Sequence, residues 1–435
     1  MATELATQLT AHVAQAGESK LMRSLAARRD LLKRVAAAAA AVRVPARPLI
    51  WMHAPSVGEG LQARPIAHQL RTLHPDVQQA YTFFSPSAEA FAQSVGADIT
   101  DYLPFDGVRE ADAMLDALQP SLLVFVKLDV WPVLVERATA RGIPVALLSA
   151  TLAARSGRTG VWSRLLLHEA YRSLRGVGAI DAVNGERLVR LGVQRAALEV
   201  TGDTRFDQVW ARAQGVDRTR PVLQAVSSAR PTLVAGSTWP ADEAVLLPAF
   251  ARTLQVHGGA HRDSSGHDLP RLVIAPHEPT PSHLAPIQEW ARTAGLSCAT
   301  LSEAEEDRTA AARDVIVVDR VGVLGDLYAL ADVAFVGGGF HRAGLHSVIE
   351  PAAFGVPVLC GPRHEMSREA GLLLAAGGAR AMPNSVALAS ALQEWLTDVP
   401  ARTRAGDAAR AVVHAELGAT ERSVQLLQRL LRTTR

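Results

Sequence analysis

Cysteine is nearly absent from this chain. Cys298 and Cys360 are the only two in 435 residues, far apart and on segments that read as buried or nearly so. That count argues against a disulfide framework and against a thiolate metal site, and a reducing cytoplasm is the expected compartment. Aromatic residues are scarce at 5%, and the formal charge is only +2. Without basic excess or aromatic interleaving there is no case for nucleic acid as a partner. No uncharged apolar run reaches about 18 residues, so no membrane-spanning helix is expected, and the start lacks a signal-peptide pattern.

The chain instead has a high share of small and aliphatic residues. Hydrophobic residues make up 48% and charged residues 20%, the balance of an Ala/Leu/Val-rich enzyme. A chain of this length is too long for one ordinary core and fits two α/β domains. Short apolar runs at Leu49–His53, Gln79–Phe83, Leu122–Val126, Val145–Ser149, Gly178–Val183 and Leu198–Val200 read as strands. Helical patterns such as Gly60–Leu73 and Val130–Ala140 lie between them. Parallel strands need crossover helices, so this alternation predicts a Rossmann-like parallel sheet covered on both faces. Polarity rises over Ala213–Ala229, where a linker is expected. A second series follows at Thr232–Ala235, Leu272–Ala275, Val315–Val318, Val333–Val336 and Val358–Cys360. The expected division is a basic helical segment over 1–45 and two doubly wound domains over 46–213 and 214–435. Two such domains place the carboxyl ends of their sheets at a common crevice, predicting a cleft enzyme that uses a nucleotide.

From Lys20 to Arg47 eight basic residues alternate with Leu21, Met22, Leu25, Leu31, Leu32 and Val35 at helical spacing. Two readings fit: a helix lying on an anionic membrane surface, and a solvated helix packed on its own protein. Between 258 and 268 the sequence GGAHRDSSGHD reads as a surface loop, since His257, His261 and His267 lack a spacing that gathers metal ligands on one helix face.

Several strand ends carry chemistry. Gly337, Gly338 and Gly339 close the run Val333–Val336 and precede His346, Ser347 and Glu350. Glycines there let backbone approach a ligand, and a helix following them would aim N–H groups at an anion, with Glu350 placed for ribose hydroxyls; tight packing is the plainer reading. After the first strand comes Ser56-Val57-Gly58-Glu59. Ser56 fits an N-cap, Gly58 permits close approach, and Glu59 in the first helical turn is either a dipole-stabilising residue or a general base. Lys127 and Asp129 precede Trp131-Pro132, and would share one side if their strand continued. Thr201–Asp207 forms a polar hook, Gly236-Ser237-Thr238-Trp239-Pro240 suits a phosphate loop, and His277-Glu278 adds a titratable pair.

In this order, from about Ile50 to Ala379, these motifs resemble the 3-deoxy-D-manno-octulosonic acid (Kdo) transferases, GT-B glycosyltransferases that attach Kdo to lipid A precursors. The family's Ser-Val-Gly-Glu is intact at Ser56–Glu59. Its Gly-Gly-His-Asn-x-Leu-Glu-Pro-Ala appears as Gly344, Leu345, His346, Ser347, Val348, Ile349, Glu350, Pro351 and Ala352, and its Gly-Pro-His as Gly361, Pro362 and Arg363. The familiar Glu-Thr-Glu-x-Trp-Pro is here Lys127 through Pro132, and Pro-Arg-His-Pro is here Pro276, His277, Glu278 and Pro279. An arginine able to grip a sugar carboxylate is therefore gone, and Lys127 is the candidate replacement, a point charge without the planar fork. The family's usual hydrophobic N-terminal anchor is not expected here, which leaves the basic helix as the candidate membrane contact.

The resemblance implies an inverting, metal-independent transfer from CMP-Kdo to a lipid A precursor, with no cofactor, at the cytoplasmic face of the inner membrane. The first domain would bind the acceptor through Ser56 and Gly58, with Glu59 as catalytic base. The donor would be met by Lys127, Asp129, Ser237, Thr238, His277, Gly338, Gly339, His346, Ser347 and Glu350. A related transferase with another nucleotide sugar, and a sugar-nucleotide epimerase, are the alternatives.

Overall fold

The computed structural model describes residues 20–153, 161–257, 269–307, 309, 312–342 and 344–432. They form two compact units, residues 20–208 with 417–432, and residues 209–416. The polar histidine-bearing loop 258–268 lies outside the described residues, as do residues 1–19.

The first unit holds seven strands: β1 (Leu49–His53), β2 (Gln78–Phe83), β3 (Ile99–Tyr102), β4 (Leu122–Val126), β5 (Val145–Ala150), β6 (Gly176–Ala179) and β7 (Leu198–Val200). All pair in parallel in the order β3-β2-β1-β4-β5-β6-β7. Strands β1, β2, β4 and β5 are buried along their whole length, which is why β1, β4 and β5 read as nearly continuous apolar runs, while β2 buries Gln78, Gln79 and Thr82 through side-chain hydrogen bonds. Chain order reverses between β1 and β4, the position where open α/β sheets bind ligands.

The second unit repeats the plan with β8 (Thr232–Thr238), β9 (Arg271–Pro276), β10 (Cys298–Thr300), β11 (Val315–Val317), β12 (Val333–Val336), β13 (Val358–Cys360) and β14 (Ala379–Ala381). Its order is β10-β11-β9-β8-β12-β13-β14, again all parallel, with the reversal between β8 and β12.

The structure corrects the sequence reading in four places. Strands β3, β10 and β14 are short and carry polar residues such as Asp101 and Arg380, so they lack an apolar-run signature. The run Gly178–Val183 is not one strand: β6 ends at Ala179, and Asp181 caps a new helix, Ala182–Leu191, by accepting from the Asn184 N–H. The expected linker is largely structured, with helices Thr204–Gly215 and Pro221–Gln224, and Val222, Leu223 and Val226 buried in the second unit. Arg212 and Arg220 from this stretch both bind the Asp326 carboxylate.

The fourth correction is the chain's end. Helix Ala419–Arg432 belongs to the first unit, where Val424, Leu426 and Leu427 join the core. Each such side chain is worth about 1.5–3 kcal/mol against exposure. Asp207 fixes the entry to this helix by accepting from Gly418 N (2.7 Å), Thr420 N (2.6 Å) and Thr420 Oγ1 (2.7 Å).

The basic N-terminal stretch forms helices Lys20–Ala27 and Leu31–Val42, and Leu31, Val35 and Ala39 are buried against the first unit. Its arginines are largely spent on their own chain. The Arg28 guanidinium lies 3.9 Å from the Phe84 ring centre and donates to Leu103 O and Phe84 O, while Arg34 pairs with Asp101. Met22 and Leu25 are exposed. Among the described residues no helix is long and apolar enough to cross a membrane.

Candidate functional site in each unit

In the first unit the reversal point gathers Ser56, Gly58, Glu59, Lys127, Asp129 and His53. β1 ends at His53, and three residues later the chain enters helix Val57–Leu73 with Ser56 in extended N-cap conformation. The Ser56 hydroxyl does not cap a backbone N–H; it donates to Glu59 Oε2. Lys127 Nζ donates to Glu59 Oε1 at 2.8 Å. Burial raises the Glu59 pKa, but the bonds from Lys127 and Ser56 and the Lys127 charge overcome it, leaving the carboxyl below its ordinary range. Gly58 stands open, with only Ser56 Oγ at 3.8 Å from where a Cβ would be.

β4 stops at Val126 and the backbone turns at Lys127, whose φ is +71°. Lys127 and Asp129 therefore do not share one strand face. The ammonium goes to Glu59, and Asp129 Oδ2 accepts from Trp131 Nε1 at 3.0 Å and lies 3.9 Å from His53 Nε2. His53 is fully buried, which lowers its pKa against the raising influence of Asp129. Trp51 Nε1 donates to Thr82 Oγ1 at 2.9 Å, and that hydroxyl stands 3.0 Å from His53 Nδ1.

The Thr201–Asp207 hook serves the same helix. Asp203 accepts from Gln62 Nε2 at 3.0 Å and Thr204 Oγ1 donates to Gln62 O at 2.8 Å, one turn beyond Glu59. Both hook residues are buried and fix the helix that presents Glu59.

In the second unit the reversal point is built around Asp242, in the first turn of helix Pro240–His257. Its fully buried carboxylate accepts from Trp239 N (3.0 Å), Gly338 N (2.7 Å) and Phe340 N (3.0 Å). The Gly338 N–H is thus occupied within the protein, and it is not a donor for a bound phosphate as the sequence reading expected. The glycines serve close packing. A Cβ on Gly337 would stand 2.3 Å from Ser237 O, one on Gly338 2.1 Å from Gly344 O, and one on Gly339 2.5 Å from Gly361 N.

Thr238 is also engaged: its buried hydroxyl donates to Glu243 at 2.8 Å, and Glu243 meets His283 Nε2 at 2.9 Å. Ser237, beside it, has φ +53°. Trp239 lies between His277, with ring centres 4.5 Å apart, and His341, at 4.3 Å. His346 Nε2 accepts from Trp239 Nε1 at 3.1 Å, so a neutral His346 carries its hydrogen on Nδ1. Burial first, and then His277, hold the His346 pKa below its ordinary value.

The helix after the glycines is only Ile349–Ala353, ten residues past Gly339. Ser347 is exposed and bonds Glu350, whose pKa is raised by burial against the lowering effects of Arg212 and Ser347. Sequence reasoning missed Asp242, His53 and His341. Asp242 had one visible signal, an acidic residue in the first turn of a helix entered directly from a strand. Burial pushes the Cys298 and Cys360 thiols up, to about 11 and about 12. Among the described residues no group of three His, Cys, Asp or Glu side chains is arranged to hold a metal ion.

Two doubly wound parallel units, each gathering polar side chains where its strand order reverses, make a GT-B fold. The chain is similar in structure to the UDP-GlcNAc 2-epimerase of Neisseria meningitidis bound to UDP-GlcNAc, with a TM-score of 0.61 over 88% of this chain and 100% of that one, at 13% identity. Residues 6–208 match the family described as 3-deoxy-D-manno-octulosonic-acid transferase (kdotransferase). A 3-deoxy-D-manno-octulosonic acid transferase of Bordetella pertussis is 33% identical over 403 residues, covering 89% of each chain. That of Haemophilus influenzae is 26% identical over 87% of this chain and 86% of its own. The chain belongs to the 3-deoxy-D-manno-octulosonic acid transferase family.

Proposed function

We propose that this transferase moves Kdo from CMP-Kdo to a hydroxyl of a lipid A precursor with inversion, and that Glu59 is the base. The observation that carries the reading is Glu59 itself, a largely buried carboxylate at the reversal point of the first sheet, held ionised by Lys127 and Ser56. The acceptor oxygen forms a bond to the anomeric carbon and gives its proton to Glu59. The bond from that carbon to the phosphate oxygen breaks, and CMP leaves with the electron pair. Positive charge grows on the sugar and negative charge on the phosphate.

With the Gly338 N–H and the Thr238 hydroxyl engaged, and the Ser347 hydroxyl given to Glu350, the donor assigned to the leaving phosphate is His346 Nδ1–H, with His277 beside it. Glu350 is assigned to the ribose hydroxyls. Ser56 and Gly58 border the acceptor. Lys127 meets the negative charge of a substrate, and Asp129, held by Trp131, orders the loop beside it. Exposed Met22 and Leu25, with Arg23 and Arg29, are assigned to a peripheral contact at the cytoplasmic face of an anionic membrane.

The test is incubation with CMP-Kdo and a lipid A precursor, following CMP release and product mass. Glu59→Gln is expected to lower turnover roughly 10²- to 10⁴-fold with CMP affinity retained. No CMP release by folded wild-type protein would move the assignment to another nucleotide sugar. Isomerisation of the donor without acceptor would move it to an epimerase.

A further inference from the structure

We propose that Lys127 is the exchangeable counter-ion of Glu59: an oxyanion on a bound substrate takes over the ammonium, and the Glu59 oxygen it vacates receives the acceptor's proton. The inference rests on the reading of Glu59 as the base and adds how that base is released. Both carboxylate oxygens are occupied, Oε1 by Lys127 at 2.8 Å and Oε2 by Ser56. An oxygen bound to a cation is a poor proton acceptor, so one of these contacts has to be given up when the proton arrives.

Lys127 is the contact able to leave. Its side chain is 45% exposed against 14% for Glu59, so an incoming anion reaches the ammonium before the carboxylate. Ser56 sits three residues from Glu59 at the start of the same helix on a one-carbon stem, whereas Lys127 reaches across on a four-carbon stem with three donors. The lysine's backbone is fixed. Its N–H donates to Leu148 O at 2.8 Å, its carbonyl accepts from Thr151 N at 3.3 Å, and φ is +71°, a region that residues with a Cβ rarely adopt. The turn thus aims the stem, and the exchange takes place in the side chain alone.

The Glu59 charge is also felt by Tyr81 on β2, whose hydroxyl would stand 2.9 Å from a Cβ on Gly60. Its buried hydroxyl has no hydrogen-bond partner among the described residues, and burial and Glu59 together keep it protonated. Asp129, two residues beyond Lys127, is held by Trp131.

The oxyanion is either the carboxylate of the transferred sugar or a phosphate of the acceptor glycolipid. Calorimetric titration distinguishes them, using CMP-Kdo, CMP, phosphorylated and dephosphorylated lipid A precursor, and inorganic phosphate, against wild type, Glu59→Gln, Lys127→Met and the double variant. In Glu59→Gln the ammonium has no ion pair to leave, so the oxyanion ligand binds roughly three- to tenfold more tightly than to wild type. Lys127→Met weakens the same ligand, the double variant matches Lys127→Met, and CMP alone binds all four alike. Tightening for CMP-Kdo identifies the sugar carboxylate; tightening only for the phosphorylated precursor identifies the acceptor phosphate.

Equal affinity of wild type and Glu59→Gln for every oxyanion ligand overturns the exchange. So does an equal loss of CMP binding in Lys127→Met, which would mark a structural lysine; Lys127→Arg, which keeps the charge, separates that case from misfolding. Wild-type protein that binds neither CMP-Kdo nor precursor sinks the transferase reading instead. The inorganic phosphate arm then decides the exchange on its own, since Glu59→Gln must still bind phosphate more tightly than wild type does.

Discussion

The carboxylate of Asp242 holds the backbone of Gly338 through a 2.7 Å bond from its N–H, tying the first helical turn after β8 to the glycine turn after β12. With Trp239 N and Phe340 N on the same side chain, one buried residue sets the geometry of both loops at the reversal point. Asp242→Ala leaves three backbone donors without their acceptor. A loss on the order of 3 kcal/mol or more is expected, at about 1–3 kcal/mol per stranded group. Thermal unfolding checks the loss, and nucleotide titration should show weaker binding even in the variant that remains folded. Unchanged unfolding would mean that water replaces the carboxylate.

That relationship also shows how far the residues spoke for themselves. The strand Val333–Val336 and the glycines after it were legible because buried parallel strands are apolar throughout and because Gly337 to Gly339 interrupt the pattern sharply. What the glycines are for was not legible. Their role depends on Gly361, Gly344 and Ser237, which the fold brings within 2.1–2.5 Å of the missing Cβ atoms. Likewise Ser56-Val57-Gly58-Glu59 announced a helix start with an acid in its first turn. The Lys127 partner came from 68 residues away, and its direction depended on a backbone turn that local propensity does not report. The return of Ala419–Arg432 to the first unit was hidden for a similar reason: an amphipathic helix shows that it has a buried face, but not which core receives it.

Two glycines with opposite surroundings give a paired test. Gly339→Ala places a methyl group 2.5 Å from Gly361 N and 2.6 Å from Gly361 Cα, both backbone atoms that cannot step aside cheaply. A destabilisation of about 1–3 kcal/mol is expected. Gly58→Ala meets only Ser56 Oγ at 3.8 Å and sits inside a helix, so stability should hold or rise by up to about 1 kcal/mol. If Gly58 borders the acceptor, the added methyl raises the acceptor KM while leaving the donor KM unchanged. Denaturant melts and steady-state kinetics on the two variants read both effects.

The rate–pH profile should carry the signature of Glu59. Its folded pKa lies below the ordinary value of a glutamate because Lys127 and Ser56 outweigh the raising effect of burial. The base is therefore ionised over the neutral range, and activity falls only as pH drops through this lowered value. The same depression contributes stability that is present above the unfolded carboxyl pKa and is lost as pH falls through the folded one. Ser56→Ala removes one lowering bond, so the acid limb should move to higher pH and the stability window should narrow from its acid side. A limb that stays in place in Ser56→Ala would assign it to another group.

Arg28 supplies the test of what the N-terminal helices do. Its guanidinium stands 3.9 Å from the Phe84 ring centre and 5.2 Å from that of Phe105, and it donates to Leu103 O at 2.9 Å, Phe84 O at 2.8 Å and Ser24 Oγ at 2.7 Å. Burial lowers its pKa, yet it remains a cation against the rings. Arg28→Ala loses charge-assisted bonds and a ring contact together, and a cost of about 2–4 kcal/mol is expected. Arg28→Lys should recover little, since an ammonium cannot lie flat on Phe84 and also reach two carbonyls set apart. The contrasting pair is Met22→Ser with Leu25→Ser, both exposed and therefore nearly neutral for folding. If these side chains enter a lipid surface, the double variant keeps the wild-type melting temperature and loses binding to anionic vesicles at low salt. Arg28→Ala, in contrast, loses stability in the absence of any lipid. A double variant that binds vesicles as wild type does would leave the N-terminal helices with the packing role alone.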